Sequence, residues 1–71
     1  MKRIFITLHR RLKMLDVPDR EAAKWIGKSQ ATFSRKMSGQ IPWTEPEMQK
    51  ILSEVGQPEE TLVDFWPRRR I

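Results

Sequence analysis

The stretch Gly27-Lys28-Ser29-Gln30-Ala31-Thr32-Phe33-Ser34-Arg35-Lys36-Met37-Ser38-Gly39 holds two large apolar residues, Phe33 and Met37, one helical turn apart. It carries three positive charges, Lys28, Arg35 and Lys36, and no negative one. Ser29 is placed to cap a helix from Gln30 to Met37, because its hydroxyl can accept an N–H of the first turn that has no intrahelical partner. Gly39 is placed to end that helix, since glycine enters the left-handed conformation without a Cβ penalty. On a helical wheel Phe33 and Met37 share the side that faces a core. Ala31, Arg35 and Ser38 fall opposite, flanked by Thr32 and Ser34, with Lys36 at the margin and Gln30 projecting forward from the tip.

Working outward, glycine, proline and capping residues divide the chain into about five short helices, an all-α fold with tight connections and no sheet. The first is predicted over Lys2 to Leu15, where Ile4, Leu8, Leu12 and Leu15 recur at helical spacing. Its β-branched start, Ile4, Ile6 and Thr7, leaves an extended beginning open. Asp16-Val17-Pro18-Asp19 is a turn into a second helix, Asp19 to Ile26, whose Ala22, Ala23 and Ile26 make a narrow packing face and which Gly27 ends. In Trp43-Thr44-Glu45-Pro46-Glu47-Met48, Thr44 and Glu47 have capping-box spacing, with Trp43 and Met48 at the two staple positions. A fourth helix is therefore predicted from Glu45 to about Val55, burying Met48, Ile51, Leu52 and Val55 and stopping at Gly56. Pro58 opens a short fifth helix containing Leu62, Val63, Phe65 and Trp66, which Pro67 interrupts. Phe65, Trp66 and Ile71 either close the core beneath the first helix or form a dimer surface.

The 71 residues suffice for one small domain, residues 1–71, in which core burial alone is marginal. No cysteine is present, which excludes disulfides and thiolate metal or redox motifs and fits a cytoplasmic setting. His9 is the single histidine, too little for a zinc site without carboxylates placed to help. The longest apolar run, Ile4-Phe5-Ile6, is far too short to span a bilayer. The net charge is +5 and is unevenly placed. No acid occurs from Met1 to Leu15 or between Glu21 and Glu45, whereas Glu45 to Asp64 carries six acids against Lys50 alone. Such a domain suits a polyanion on one side.

Gly27-Lys28-Ser29 is not a nucleotide-binding loop, because Ala22 stands where that motif needs glycine. Glu59 and Glu60 are adjacent and do not face one another on a helix. No nucleophile-base constellation is visible, so the chain does not read as an enzyme, and no cofactor, metal or small-molecule substrate is expected. The outer face of the third helix instead carries the groups that read base edges. Glutamine pairs bidentately with adenine, arginine with guanine, and an alanine or threonine methyl meets the thymine methyl. The helix start beside Lys28 and Ser29 offers N–H groups and positive potential to a phosphate.

Arg20 to Gly39 resembles the helix-turn-helix of the Cro/repressor family of phage and bacterial regulators, the XRE-like class. The residues that carry the resemblance are Ala23 at the helix crossing, Ile26, Gly27 at the turn, Ser29 as cap, Phe33 inside, Ser34-Arg35, and Gly39 beyond. Trp43 to Gly56, followed by Leu62-Val63-Asp64-Phe65-Trp66-Pro67, is similar to the fourth and fifth helices of small prophage regulators. The resemblance covers roughly Val17 to Pro67. It departs at Pro18, where a Ser or Thr cap is usual, and at Asp16, which replaces a common glycine.

The resemblance implies a lambda-repressor-like DNA-binding domain with its helix-turn-helix at about 19–37. It implies a usually homodimeric transcriptional repressor that reads a palindromic operator in double-stranded DNA. The base-contacting positions fall on Gln30, Ala31, Ser34 and Arg35. Backbone contacts are expected from Lys28, Ser29, Thr32, Lys36 and Gln40. The basic tail, 68–71, reads as a phosphate-gripping end, a nonspecific solubilising end or an appended terminus. The competing reading is a protein-interaction module, such as an antitoxin-like subunit, using the acidic Glu45 to Trp66 stretch. A membrane-attached reading would rest on the basic first helix.

Overall fold

The computed structural model describes residues 4–67. Five helices follow one another, α1 (Ile6–Met14), α2 (Asp19–Trp25), α3 (Gln30–Met37), α4 (Glu45–Val55) and α5 (Leu62–Phe65), and the described residues hold no strand. The basic-tail reading of 68–71 lies outside the described residues, as do the first residues of the predicted first helix.

Local signals explain most boundaries. Helices α1, α2 and α3 end in one motif, in which the residue after the cap turns left-handed and two N–H groups reach back to the last turn. At α1 the residue is Asp16, φ 57°, with Asp16 N–H on the Lys13 carbonyl at 3.1 Å and Val17 N–H on that of Leu12 at 2.9 Å. Aspartate tolerates this region better than most side chains, so it fills a position where glycine is common. At α2 and α3 the residues are Gly27 (φ 70°) and Gly39 (φ 86°). Helix α4 starts from a complete capping box: Glu47 N–H donates to Thr44 Oγ1 at 3.4 Å, and Thr44 N–H donates to Glu47 Oε1 at 3.0 Å.

Two helices are shorter than predicted. Helix α1 begins only at Ile6, because Ile4 stands outside the helix and donates its N–H to the Met37 carbonyl at 3.0 Å, at the end of α3. Leu8 and Leu12 are buried, whereas Ile4 and Leu15, expected on the same face, are exposed. Helix α5 is confined to Leu62–Phe65, because the Glu60 carboxylate accepts Gln57 N–H at 2.7 Å and holds 57–60 as a turn. Val63 is exposed, while Phe65 and Trp66 are fully buried, which removes them as a dimer surface.

The core is organised by Trp43, in the connection from α3 to α4. Its ring meets those of Phe5 (6.3 Å between centroids), Phe33 (5.8 Å) and Trp66 (5.3 Å), all edge-on. Edge-on pairs each add about 0.5–1.5 kcal/mol beyond area burial. One side chain thus gathers the start of α1, the inner face of α3 and the end of α5. Arg11 closes the far side. Its guanidinium grips both Glu60 oxygens at 2.7 and 2.8 Å, donates to the Val55 carbonyl at 2.9 Å, and lies 5.5 Å from the Phe65 ring centroid. The last turn of α4, the turn before α5 and the Phe65 end of α5 are therefore held on α1.

Candidate nucleic-acid interface

Helices α2 and α3 form the most extensively packed helix pair. Ala22 and Ala23 are buried and small, which lets the two backbones approach closely. Between them lie four residues, 26–29. Gly27 N–H bonds the Lys24 carbonyl at 3.1 Å and Lys28 N–H bonds that of Ala23 at 3.0 Å, so the turn is fixed to the end of α2. Ser29 then goes extended (φ −73°, ψ 159°) and caps α3, its hydroxyl accepting Thr32 N–H at 3.2 Å and donating to Thr32 Oγ1 at 3.0 Å.

Phe33 and Met37 are fully buried and hold the inner side of α3. Outward, Gln30, Ala31 and Arg35 are exposed, and Thr32, Ser34 and Ser38 are half-buried. The Arg35 carbonyl accepts Ser38 Oγ–H at 3.0 Å and Gln40 N–H at 2.9 Å, so its backbone is anchored while the side chain stands in solvent. The four residues expected to touch bases, Gln30, Ala31, Ser34 and Arg35, thus lie along the surface of one helix. Lys28, Ser29 and Gln40 are exposed at its two ends. Ser29 is committed to capping, so what that end offers an anion is its backbone N–H groups and Lys28 rather than a free hydroxyl.

Lys36 requires a correction. Expected at the margin as a phosphate contact, it is buried, 3 % exposed. Its ammonium donates to the Pro42 carbonyl at 2.9 Å, pairs with Glu47 Oε1 at 2.9 Å, and lies 5.8 Å from the Trp43 ring centroid. The reason is its phase: three residues after Phe33, it lies beside the core stripe, where its long stem runs along Trp43. Burial alone would raise the Glu47 carboxyl. The Lys36 hydrogen bond, the Thr44 N–H and the Lys36 charge outweigh it, and the carboxyl lies below its usual range. Lys36 belongs to the support of α3.

The charges divide accordingly. Lys24, Lys28 and Arg35 are exposed, and among the described residues Lys28 and Arg35 form no ion pair. The acidic stretch is largely spent inside the chain. Glu47 is taken by Lys36, Glu60 by Arg11, Glu54 by Lys50 at 2.9 Å, and Asp64 accepts Thr61 N–H at 2.7 Å. Arg11 and Glu60 escaped the sequence reading because nothing local marks a pair so distant in sequence. Lys36 had a legible signal in its spacing from Phe33.

Elsewhere, His9, Lys13 and 16–19 line a shallow open depression beside the turn between α1 and α2. Among the described residues no group of His, Asp and Glu gathers to hold a metal ion, and no helix is long and apolar enough to cross a membrane. Comparison of the chain with protein-family models, curated proteins and solved structures finds no match.

Proposed function

We propose that this protein is a sequence-specific double-stranded-DNA-binding transcriptional regulator. In this reading it is a repressor of the Cro-like type, occupying a palindromic operator as a homodimer with α3 in the major groove. One observation carries the reading. A helix whose inner side is locked by Phe33, Met37 and Lys36 turns outward glutamine, a methyl, a hydroxyl and a guanidinium without an ion pair among the described residues, with no acid between Glu21 and Glu45 to repel a phosphate.

The major groove, roughly 12 Å wide, admits such a helix, and short side chains between the two long ones let it approach the base edges. Two copies would address grooves about 34 Å apart. The interaction-module reading draws on the acidic stretch, and most of those acids already have partners within the chain, so it is the weaker one.

The test is binding by the full chain to a duplex enriched from a random pool, against unselected duplex at moderate salt. The enriched duplex should bind at least about a hundredfold more tightly. Arg35→Ala should cost about 1–3 kcal/mol and relax one base pair, whereas Lys28→Ala should weaken every sequence alike and lower the salt slope by about one. Equal affinity for both duplexes refutes the proposal.

A further inference from the structure

Lys36 is the one charged residue on the buried side of α3, and its ammonium is held by two segments outside that helix. It donates to the Pro42 carbonyl, in the connection to α4, at 2.9 Å. It also pairs at 2.9 Å with Oε1 of Glu47, in the first turn of α4. Resting on the groove reading above, we propose that Lys36 is a positioning residue. With Glu47 it sets the rotation of α3 about its own axis, and so the presentation of the outer face, rather than adding to the stability of the fold.

The remaining buried contacts of α3 do not fix a rotation in this way. Phe33 and Met37 are held by apolar burial, which is non-directional, and a methionine side chain adapts to small shifts. Side-chain tips stand about 5–6 Å from a helix axis, so a rotation of about 10° carries them about 1 Å. A binding constellation tolerates about 0.5 Å. The Lys36 ammonium would move by a similar distance against two acceptors that do not rotate with α3. An N–H···O bond holds only over about 2.7–3.2 Å, so the clamp resists the same displacement that would spoil the outer face.

The anchor is itself fixed. Glu47 Oε1 also accepts Thr44 N–H at 3.0 Å as part of the capping box, so the carboxylate cannot follow the lysine without giving up the cap of α4. The lysine stem is buried along Trp43, whose ring packs on Phe33 of the same helix. At the last turn Ile4 N–H adds a second tie, on the Met37 carbonyl. In a pair this buried, desolvation roughly cancels the attraction, and well-packed apolar residues would hold the fold as firmly. A satisfied buried polar network instead selects one arrangement of what it joins.

The test compares the full wild-type chain with Lys36→Met, Glu47→Gln, which keeps the stem and the acceptor for the cap. The first readout is the affinity ratio between a duplex enriched by the wild type from a random pool and unselected duplex. The double variant should lose at least about tenfold of that ratio, the worth of one or two base pairs, at an unchanged salt slope. The second readout uses no DNA. Amide shifts and relaxation of Gln30 to Phe33, which lie beyond direct contact with position 36, should depart from the wild type, while those of the second half of α4 stay as they were. Lys36→Leu, Glu47→Gln takes the place of the double variant if far-ultraviolet circular dichroism shows the latter unfolded.

A loss of ratio smaller than tenfold overturns this inference and leaves the DNA-binding proposal standing. A wild type that does not discriminate between duplexes overturns the DNA-binding proposal. The amide readout then decides the inference alone, and wild-type shifts and relaxation at Gln30 to Phe33 overturn it. Unfolding of both double variants also overturns it, because the pair would then be serving stability itself.

Discussion

Truncating Lys36 should cost this protein a large share of its stability, although the residue is charged and belongs to a pair. The Lys36 ammonium is 2.9 Å from Glu47 Oε1, with the two side chains 4 % and 8 % exposed. At an effective dielectric of about 20, two charges about 3 Å apart attract by about 6 kcal/mol. Desolvating both groups costs several kcal/mol each, so the intact pair contributes little net stability. Removing one partner is different, because the other stays buried without its counter-charge, at a cost of about 3–5 kcal/mol. Glu47 would retain Thr44 N–H at 3.0 Å, which places Lys36→Ala near the lower end. Chains of this size hold roughly 4–11 kcal/mol in total.

Urea unfolding followed by far-ultraviolet circular dichroism reads the effect. With a slope of about 1 kcal/mol per molar, a loss of 3 kcal/mol moves the midpoint down by about 3 M. The double variant Lys36→Met, Glu47→Gln removes both charges, keeps the stem against Trp43 and leaves an amide oxygen for Thr44 N–H. It should recover to within about 1–2 kcal/mol of the wild type. It should also retain the wild-type salt slope for DNA, because Lys36 is not offered to phosphate. A loss below about 1 kcal/mol in Lys36→Ala, or a double variant no better than Lys36→Met alone, would refute the reasoning.

Gly27→Ala should destabilise by about 1 kcal/mol through the backbone alone, since φ is +70° and an added Cβ meets nothing within 4 Å. A chemically synthesised chain with D-alanine at 27 should not show that loss in the same urea titration, and equal losses in both would sink the argument. Thr44→Ala should cost about 0.5–2 kcal/mol by removing one arm of the capping box, read as a lower thermal midpoint. Stability should also fall in acid. The Arg11 hydrogen bond, with that from Gln57 N–H, lowers the Glu60 carboxyl, and Glu47 is lowered as well. Groups depressed in the folded state stabilise it fully above the ordinary carboxylate pKa of about 4.5 and lose that contribution as pH falls through their lowered values. The thermal midpoint should therefore decline below about pH 4.5, and Glu60→Gln should make that decline shallower.

Helices α3 and α4 are legible to the residue because their signals are local. Ser29, Thr44 and Glu47 act within three positions, and Gly39 and Gly56 mark the ends. The exposed face of α3 follows directly from the phase of Phe33 and Met37. What escaped the sequence reading depends on distant partners. The late start of α1 is set by Met37, far along the chain, whose carbonyl takes the Ile4 N–H. The short α5 is set by Glu60, which binds both Gln57 N–H and Arg11, a residue 49 positions away. Phe65 and Trp66 were ambiguous because apolar residues near a chain end suit a core and a partner equally. Trp43 decides between these, since Trp66 packs on its ring at 5.3 Å.

The three indoles stand in unequal surroundings. Trp43 and Trp66 are buried among other rings, and among the described residues neither indole N–H has a hydrogen-bond acceptor, whereas Trp25 ends α2 half in solvent. Intrinsic emission should therefore split into a short-wavelength component from the interior pair and a longer-wavelength one from Trp25. Iodide should quench the second well before the first. Because Trp25 closes the helix that leads into the turn before α3, its emission offers a label-free gauge of events at that turn, while the interior pair reports whether the chain is still folded.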